Sequence, residues 1–242
     1  MNNTIIRFAS RLIVTQLLIS ISLPVSAQDT ALNKYGLRVI HSVEDYKRTI
    51  AHDPQKTMVA LNVEMPEAII DLKYAGTDNF MHTKLYPSAT TTYLRLAAAD
   101  ALFSVMAELR SKHMTIKIWD AYRPYSVTEK MWEPVKDERY AADPKFGSGH
   151  NRGIAVDLTI VDLNSLKELD MGTGFDNFTD TAHQDFKDLP ENILQNRKLL
   201  RSIMEKHGFK ALETEWWHYY LPDAQKYELL DLSFAQLYKT LI

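Results

Sequence analysis

Apolar positions along this chain repeat with two periods, and the places where one gives way to the other mark out its elements. From about Thr91 to Lys112, the residues Leu94, Leu96, Ala97, Ala98, Leu102, Met106 and Leu109 recur on one side at helical spacing, which predicts the first long helix. Directly after it, Thr115-Ile116-Lys117-Ile118-Trp119-Asp120 alternates, a half-buried strand that ends in the turn Ala121-Tyr122-Arg123-Pro124. A second alternating run puts Ile154, Val156, Leu158 and Ile160 on one face and Ala155, Asp157 and Thr159 on the other, so the Asp157 carboxylate points away from the apolar face. Another helix is predicted from about Pro190 or Glu191 to His207, ended by Gly208, with Phe209 available for the apolar contact that often accompanies such a cap. Trp216-Trp217-His218-Tyr219-Tyr220 has the aromatic composition of a strand. Earlier in the chain, Met58 to Leu72 around Pro66 predicts a short strand and a turn, and Gln28 to about His52 is a weakly patterned surface arm or short helix. Strands and helices are interspersed without strict βα alternation, which points to an α+β fold, mainly an antiparallel sheet packed with helices. No repeat, Gly/Ser linker or low-complexity tract divides residues 28–242, so they read as one domain.

The first 27 residues follow another pattern. Two cations, Arg7 and Arg11, precede a mostly apolar run from Leu12 to Leu23 and then Pro24-Val25-Ser26-Ala27. That is the order of parts in a secretory signal peptide, cut after Ala27, and the expected address is the periplasm. Thr15, Gln16, Ser20 and Ser22 interrupt a run already shorter than the roughly 20 apolar residues of a spanning helix, so no lasting membrane insertion is expected. Composition adds exclusions: at 45% hydrophobic and 24% charged, the 242 residues are globular rather than disordered. Loss of the leader leaves 26 cations against 31 anions, a net charge of −5, without a basic cluster, so nucleic acid is not an expected partner. The absence of Cys rules out disulfides, thiol nucleophiles, Cys-ligated metals and attachment through a lipidated Cys.

Two segments concentrate the chemistry: Ser148-Gly149-His150-Asn151-Arg152-Gly153-Ile154-Ala155-Val156-Asp157 and Glu215-Trp216-Trp217-His218. Catalytic zinc takes three protein ligands and keeps a fourth position for water. His150, Asp157 and His218 would fill three positions around one Zn2+ per chain, leaving Glu215 as general base. The same donors would also accept cobalt, nickel or iron. Gly149 and Gly153 let the chain fold His150 back toward Asp157. Glu215 and His218 are three apart, which places them on opposite faces of a regular strand, so a bulge or sharp turn is expected there. Each half also has a plainer reading: His150 as an ordinary surface or core residue, Asp157 as a turn cap, Glu215 and His218 as a solvated pair beside tryptophans. Their joint occurrence favours the metal. His41, His52, His82 and His113 lack a partner at ligand spacing, His183 lies in a polar stretch, and His207 suits a helix C-terminus. Trp216 and Trp217 read as core and pocket wall.

These segments resemble the VanX-type D-alanyl-D-alanine dipeptidases, zinc peptidases related to D,D-carboxypeptidases and to the metal-binding domain of Hedgehog proteins. The family pattern Ser-x-His-x-x-Gly-x-Ala-x-Asp coincides with Ser148, His150, Gly153, Ala155 and Asp157, and Glu-x-Trp-His with Glu215, Trp217 and His218. Agreement extends to Tyr74-Ala75 with Asp78-Asn79-Phe80, to Trp119-Asp120-Ala121-Tyr122-Arg123-Pro124 and to Met171-Gly172-Thr173-Gly174-Phe175-Asp176. The resemblance implies a zinc site on the sheet held by His150, Asp157 and His218, with Glu215 as base. It also implies that Arg123 stabilises the oxyanion on the scissile carbonyl, a structural ion pair with Asp120 being the other reading. Tyr74, Ser148 and Asp176 would line the dipeptide pocket, with Asp176 facing the substrate ammonium. The implied activity is hydrolysis of D-Ala-D-Ala or a similar D,D-dipeptide in cell-wall peptide turnover. Two readings compete: a D,D-carboxypeptidase or peptidoglycan endopeptidase on the same metal site, and a zinc-stabilised binding module without catalysis, which would need neither Glu215 nor Arg123.

Overall fold

In the computed structural model, which describes residues 32–86 and 89–241, the chain opens with β1 (Val39–Ile40), α1 (Val43–His52), β2 (Met58–Ala60), α2 (Leu61–Glu64), β3 (Ile69–Ile70) and β4 (Tyr93–Arg95). It continues with α3 (Leu96–Arg110), β5 (Met114–Asp120), α4 (Tyr125–Val135), β6 (Ala155–Asp162), β7 (Lys167–Glu168) and α5 (Glu191–Lys206). It closes with β8 (Lys210–Leu212), β9 (Glu215–Tyr220), β10 (Leu229–Leu230) and α6 (Phe234–Tyr238). The segment assigned to a leader, residues 1–27, lies outside the described residues.

The main sheet has the order β3-β5-β6-β9-β8, with β7 paired to β6. Only β3 and β5 run parallel within it, so the fold is α+β on a mostly antiparallel sheet. Leu102, Val105 and Met106 of α3 and Leu200, Ile203 and Met204 of α5 form one core with Ile116, Ile118, Val156, Leu158 and Ile160 of the central strands. Each such fully buried aliphatic side chain contributes on the order of 1.5–3 kcal/mol. The period of two leaves the other face of β6 and β9 to Asp157 and His218. No helix among the described residues is long and apolar enough to cross a membrane.

The long helix starts at Leu96, not near Thr91. Thr90, Thr91, Thr92 and Tyr93 are β-branched or aromatic, poor helix formers that fit a strand, and Tyr93–Arg95 pairs antiparallel with β2. Leu94 is fully buried, serving the strand rather than the helix. In the Met58–Leu72 region the expected strand is followed by the short helix α2 and then by β3. Within the weakly patterned N-terminal arm, α1 is capped by Ser42, whose Oγ accepts from the Asp45 amide at 3.1 Å. Helix α4 has no clear helical signature in the sequence, since Val127, Thr128 and Pro134 blur it. Strand β5, expected to be half-buried, is buried at five of its seven positions, and β6 beside it is buried on both faces, with Asp157 turned into the site described next.

Candidate metal centre

Strands β6 and β9 pair in a register that sets Asp157 directly opposite His218. Cross-strand partners share a face, and Asp157 Oδ1 lies 2.8 Å from His218 Nδ1. The third donor comes from the loop before β6. There the Ile154 amide donates to the Gly149 carbonyl at 3.0 Å and the Gly153 amide to the His150 carbonyl at 3.1 Å. Gly153 has φ of +70°, and a Cβ on it would come within 2.7 Å of Met58 Sδ; one on Gly149 would meet Ala155 Cβ at 2.8 Å. A loop this tight accepts glycine at both places. Arg95, fully buried, secures the loop from behind: its amide donates to the Gly153 carbonyl at 2.7 Å and its Nε to the Arg152 carbonyl at 2.9 Å. His150 Nε2 is thereby carried to 3.2 Å from His218 Nδ1 and 3.4 Å from Asp157 Oδ2.

These donors fit a divalent transition metal. His150 Nδ1 lies 2.6 Å from the Ala121 carbonyl, which can only accept, so that ring nitrogen carries the proton and Nε2 turns a lone pair to the site. Ligands on bonds of about 2.0–2.1 Å at tetrahedral angles stand about 3.3 Å apart; His150 Nε2 and His218 Nδ1 are 3.2 Å apart, the Asp157 carboxylate turns Oδ1 to His218 at 2.8 Å and Oδ2 to His150 at 3.4 Å, and one donor atom from each residue lies within 4.8 Å of the other two. Two imidazoles and a carboxylate suit zinc or a similar borderline cation. Burial alone would raise the Asp157 carboxyl, but the facing His150 and His218 rings outweigh it and hold the group below its ordinary value.

Glu215 reaches the same side through a register break. Ala211 pairs with Tyr219 but Leu212 pairs with Glu215, so β9 bulges against β8 between those contacts, where the i, i+3 spacing requires it. Glu215 Oε2 then lies 3.9 Å from His218 Nδ1. Burial pushes the Glu215 carboxyl up to about 7; His218 pulls it down, and Asp157 and Asp176 push it further up.

Arg123 makes the ion pair with Asp120 and also lines the cavity. Its Nε and Nη2 donate to Asp120 Oδ2 at 3.1 and 2.7 Å, and the Tyr86 hydroxyl also lies against the guanidinium. The guanidinium lies over the Tyr74 ring, 5.2 Å from its centroid. Asp176, at φ of +56°, accepts from the Tyr74 hydroxyl at 2.9 Å and from the Phe80 amide at 3.2 Å, and burial pushes its carboxyl up to about 7. Ser148 Oγ accepts from the Asn151 amide at 3.2 Å. All eight residues singled out in the sequence, His150, Asp157, His218, Glu215, Arg123, Tyr74, Ser148 and Asp176, line one cavity of about 250 Å³. A larger groove of about 650 Å³ beside α6 lacks such a donor set. Trp217 walls the cavity, whereas Trp216 is buried and donates its Nε1 hydrogen to Thr173 Oγ1 at 2.8 Å. His207, at the end of α5, has its Nε2 2.8 Å from Glu108 rather than relying on the helix terminus alone.

Two residues behind the site were not predicted from the sequence as parts of it. Asp120 receives the Tyr86 hydroxyl and the Ala121 amide, each at 2.9 Å, besides Arg123. Asn151 donates from Nδ2 to the Arg123 carbonyl at 2.9 Å and to Thr128 Oγ1 at 2.8 Å, and its Oδ1 accepts from the Ser148 amide at 2.9 Å. Asp120 sits between buried Trp119 and Ala121, three residues before Arg123, and Asn151 follows His150 directly, so their places in the sequence were the available signal.

A family model described as D-ala-D-ala dipeptidase matches residues 55–239. A D-alanyl-D-alanine dipeptidase of Escherichia coli K12 is 36% identical over 178 residues, 74% of this chain and 91% of its own. Proteins of the same name from Enterococcus faecium and Streptomyces coelicolor are 30% and 32% identical, each over 63% of this chain and 85% of their own. A solved LD-carboxypeptidase aligns with 55% of this chain and 63% of its own at 21% identity and a TM-score of 0.36.

Proposed function

Because the chain belongs to the D-ala-D-ala dipeptidase family of M15 peptidases, we propose that it hydrolyses D-Ala-D-Ala, or a closely similar D,D-dipeptide, with a zinc ion held by His150, Asp157 and His218. The observation that carries this reading is the meeting of those three donors with Glu215 in a cavity of about 250 Å³, a space suited to a dipeptide rather than to a polymer strand. Bound zinc would supply a Lewis acid that brings the pKa of a water near about 7 and polarises the scissile carbonyl. Glu215 accepts the proton of the attacking water and returns it to the leaving nitrogen as the C–O bond forms and the C–N bond breaks. Arg123, fixed by Asp120 at the cavity wall, hydrogen-bonds the carbonyl oxygen as negative charge gathers there. Asp176, steadied by Tyr74 and Phe80, takes the substrate ammonium, and Ser148 and Trp217 complete the walls.

Residues 28–242 then act as one catalytic domain, delivered to the periplasm by a leader removed after Ala27, in turnover of cell-wall peptides. The test is a substrate pair: zinc-loaded protein should release D-alanine from D-Ala-D-Ala and leave an N-acetylated tripeptide ending in D-Ala-D-Ala largely intact, because acylation removes the ammonium. The reverse preference would make the protein a carboxypeptidase, and inertness toward both would overturn the proposal.

A further inference from the structure

A free dipeptide, the substrate on which this inference rests, has a carboxylate as well as an ammonium, and the groups assigned so far leave the carboxylate without a partner. Two guanidinium groups and no lysine line the cavity. Arg123 is buried and tied to Asp120, and the proposed reaction assigns it to the scissile carbonyl. Arg139 differs in every respect. Its side chain is 69% exposed although it lines the cavity, so it stands at the rim. Its fork is occupied by Asp137, two residues back, through Nε at 3.0 Å and Nη2 at 2.5 Å. Exposed pairs of this kind contribute little net stability, so an arriving carboxylate can replace Asp137 at small cost. The planar fork offers that carboxylate the same bidentate geometry.

The surroundings fix where the fork can reach. The guanidinium lies over Tyr140, 5.0 Å from the ring centroid, and Tyr140 packs on Phe178 at 4.8 Å, joining the two segments that border the cavity. A side chamber of about 60 Å³ is lined by Arg139, Tyr140, Phe178 and Glu215 together, so the rim arginine and the proposed base border one space. We propose that Arg139 is a specificity-determining residue that exchanges Asp137 for the terminal carboxylate of the dipeptide and thereby selects substrates with a free C-terminus.

The test compares D-Ala-D-Ala with D-alanyl-D-alaninamide, which lacks that charge, in the zinc-loaded wild type and in Arg139→Ala. Loss of the fork should raise KM for the acid by about tenfold or more with kcat within about threefold, and leave kcat/KM for the amide nearly unchanged. Asp137→Asn, which weakens the competing pair, should lower KM for the acid alone. Equal effects of Arg139→Ala on acid and amide, or none on the acid, would overturn the assignment while leaving the dipeptidase reading intact. A wild type that cleaves neither compound would instead sink that reading, and this one with it.

Discussion

Asp120 is fully buried, yet its carboxylate receives Tyr86, the Ala121 amide and two donors of Arg123, and it stands 3.7 Å from His150 Nδ1. One residue thus orients the arginine proposed to face the carbonyl and borders the ring proposed to bind the metal. Replacing it by Asn removes the counter-charge of a buried guanidinium, which in comparable pairs costs about 3–5 kcal/mol. Asp120→Asn should therefore lower stability to urea by about 3 kcal/mol and reduce kcat, with metal content preserved; a change below about 1 kcal/mol would show that Arg123 finds another partner. Glu215 makes the opposite kind of prediction, since no hydrogen bond to a described residue holds its carboxylate and its proposed part is the proton it would move. Glu215→Gln should keep the metal and the fold but lower kcat by about 10²–10⁴-fold. In the wild type the acid limb of kcat/KM reports ionisation of this group. Its carboxyl sits near about 7 without a cation and is drawn lower by one, so the limb should fall below pH 7 in the loaded enzyme.

Loop and strand geometry decide whether the ligands meet at all. Gly153 and Gly208 both have positive φ, +70° and +93°, but a Cβ at Gly153 runs into Met58, whereas nothing lies within 4 Å of one at Gly208. Gly208→Ala should cost only the backbone term, on the order of 1 kcal/mol, with metal affinity unchanged. Gly153→Ala should cost more, by melting temperature, and weaken metal binding as well, because the loop that carries His150 must shift. Equal effects of the two on metal affinity would separate loop shape from ligand placement. The same contrast explains what the sequence could and could not tell. Alternation in β5 and β6 and the Gly208 terminus of α5 are local signals, and they predicted those elements closely. The i, i+3 spacing of Glu215 and His218 was enough to require the bulge that the β8–β9 register contains. Strand β4 was hidden inside a helical pattern because its partner β2 lies more than thirty residues earlier, and α4 because its first turns are β-branched. Asp120 and Asn151 were legible as polar residues in the right segments, but their roles depend on which groups the fold brings against them.

At the scale of the whole molecule, the main core under α3 and α5 contains none of the proposed ligands, so chelation should leave a folded protein whose stability has a particular dependence on pH. Glu215 and Asp176 are raised from ordinary values of 4.5 and 3.8 to about 7 by burial, and His218 is also raised, Asp157 outweighing the effect of burial. From about pH 4 to 7 the metal-free folded chain therefore binds more protons than the unfolded chain, and its stability declines as pH rises. The contribution of His218, complete below the unfolded value near 6.5, is lost as pH rises through its folded value. Asp157 works in the other direction, but only in acid: held low by the two imidazoles, it stabilises the fold above about pH 4 and loses that effect as pH falls further. The metal-free protein should accordingly melt at a lower temperature at pH 8 than at pH 5.5. A cation among these carboxylates offsets their mutual repulsion and binds only deprotonated ligands, so zinc should restore more stability at pH 8 than at pH 5.5. At a hundredfold excess over Kd the restoration is about 2.7 kcal/mol, which for a domain of this size is a rise of about 5–10 °C. Calorimetry at the two pH values, with and without zinc, checks both signs. A metal-free melting temperature that climbs from pH 5.5 to 8 would mean that the site's carboxyls ionise without penalty, and that the cavity is wetter and less charged than its geometry requires.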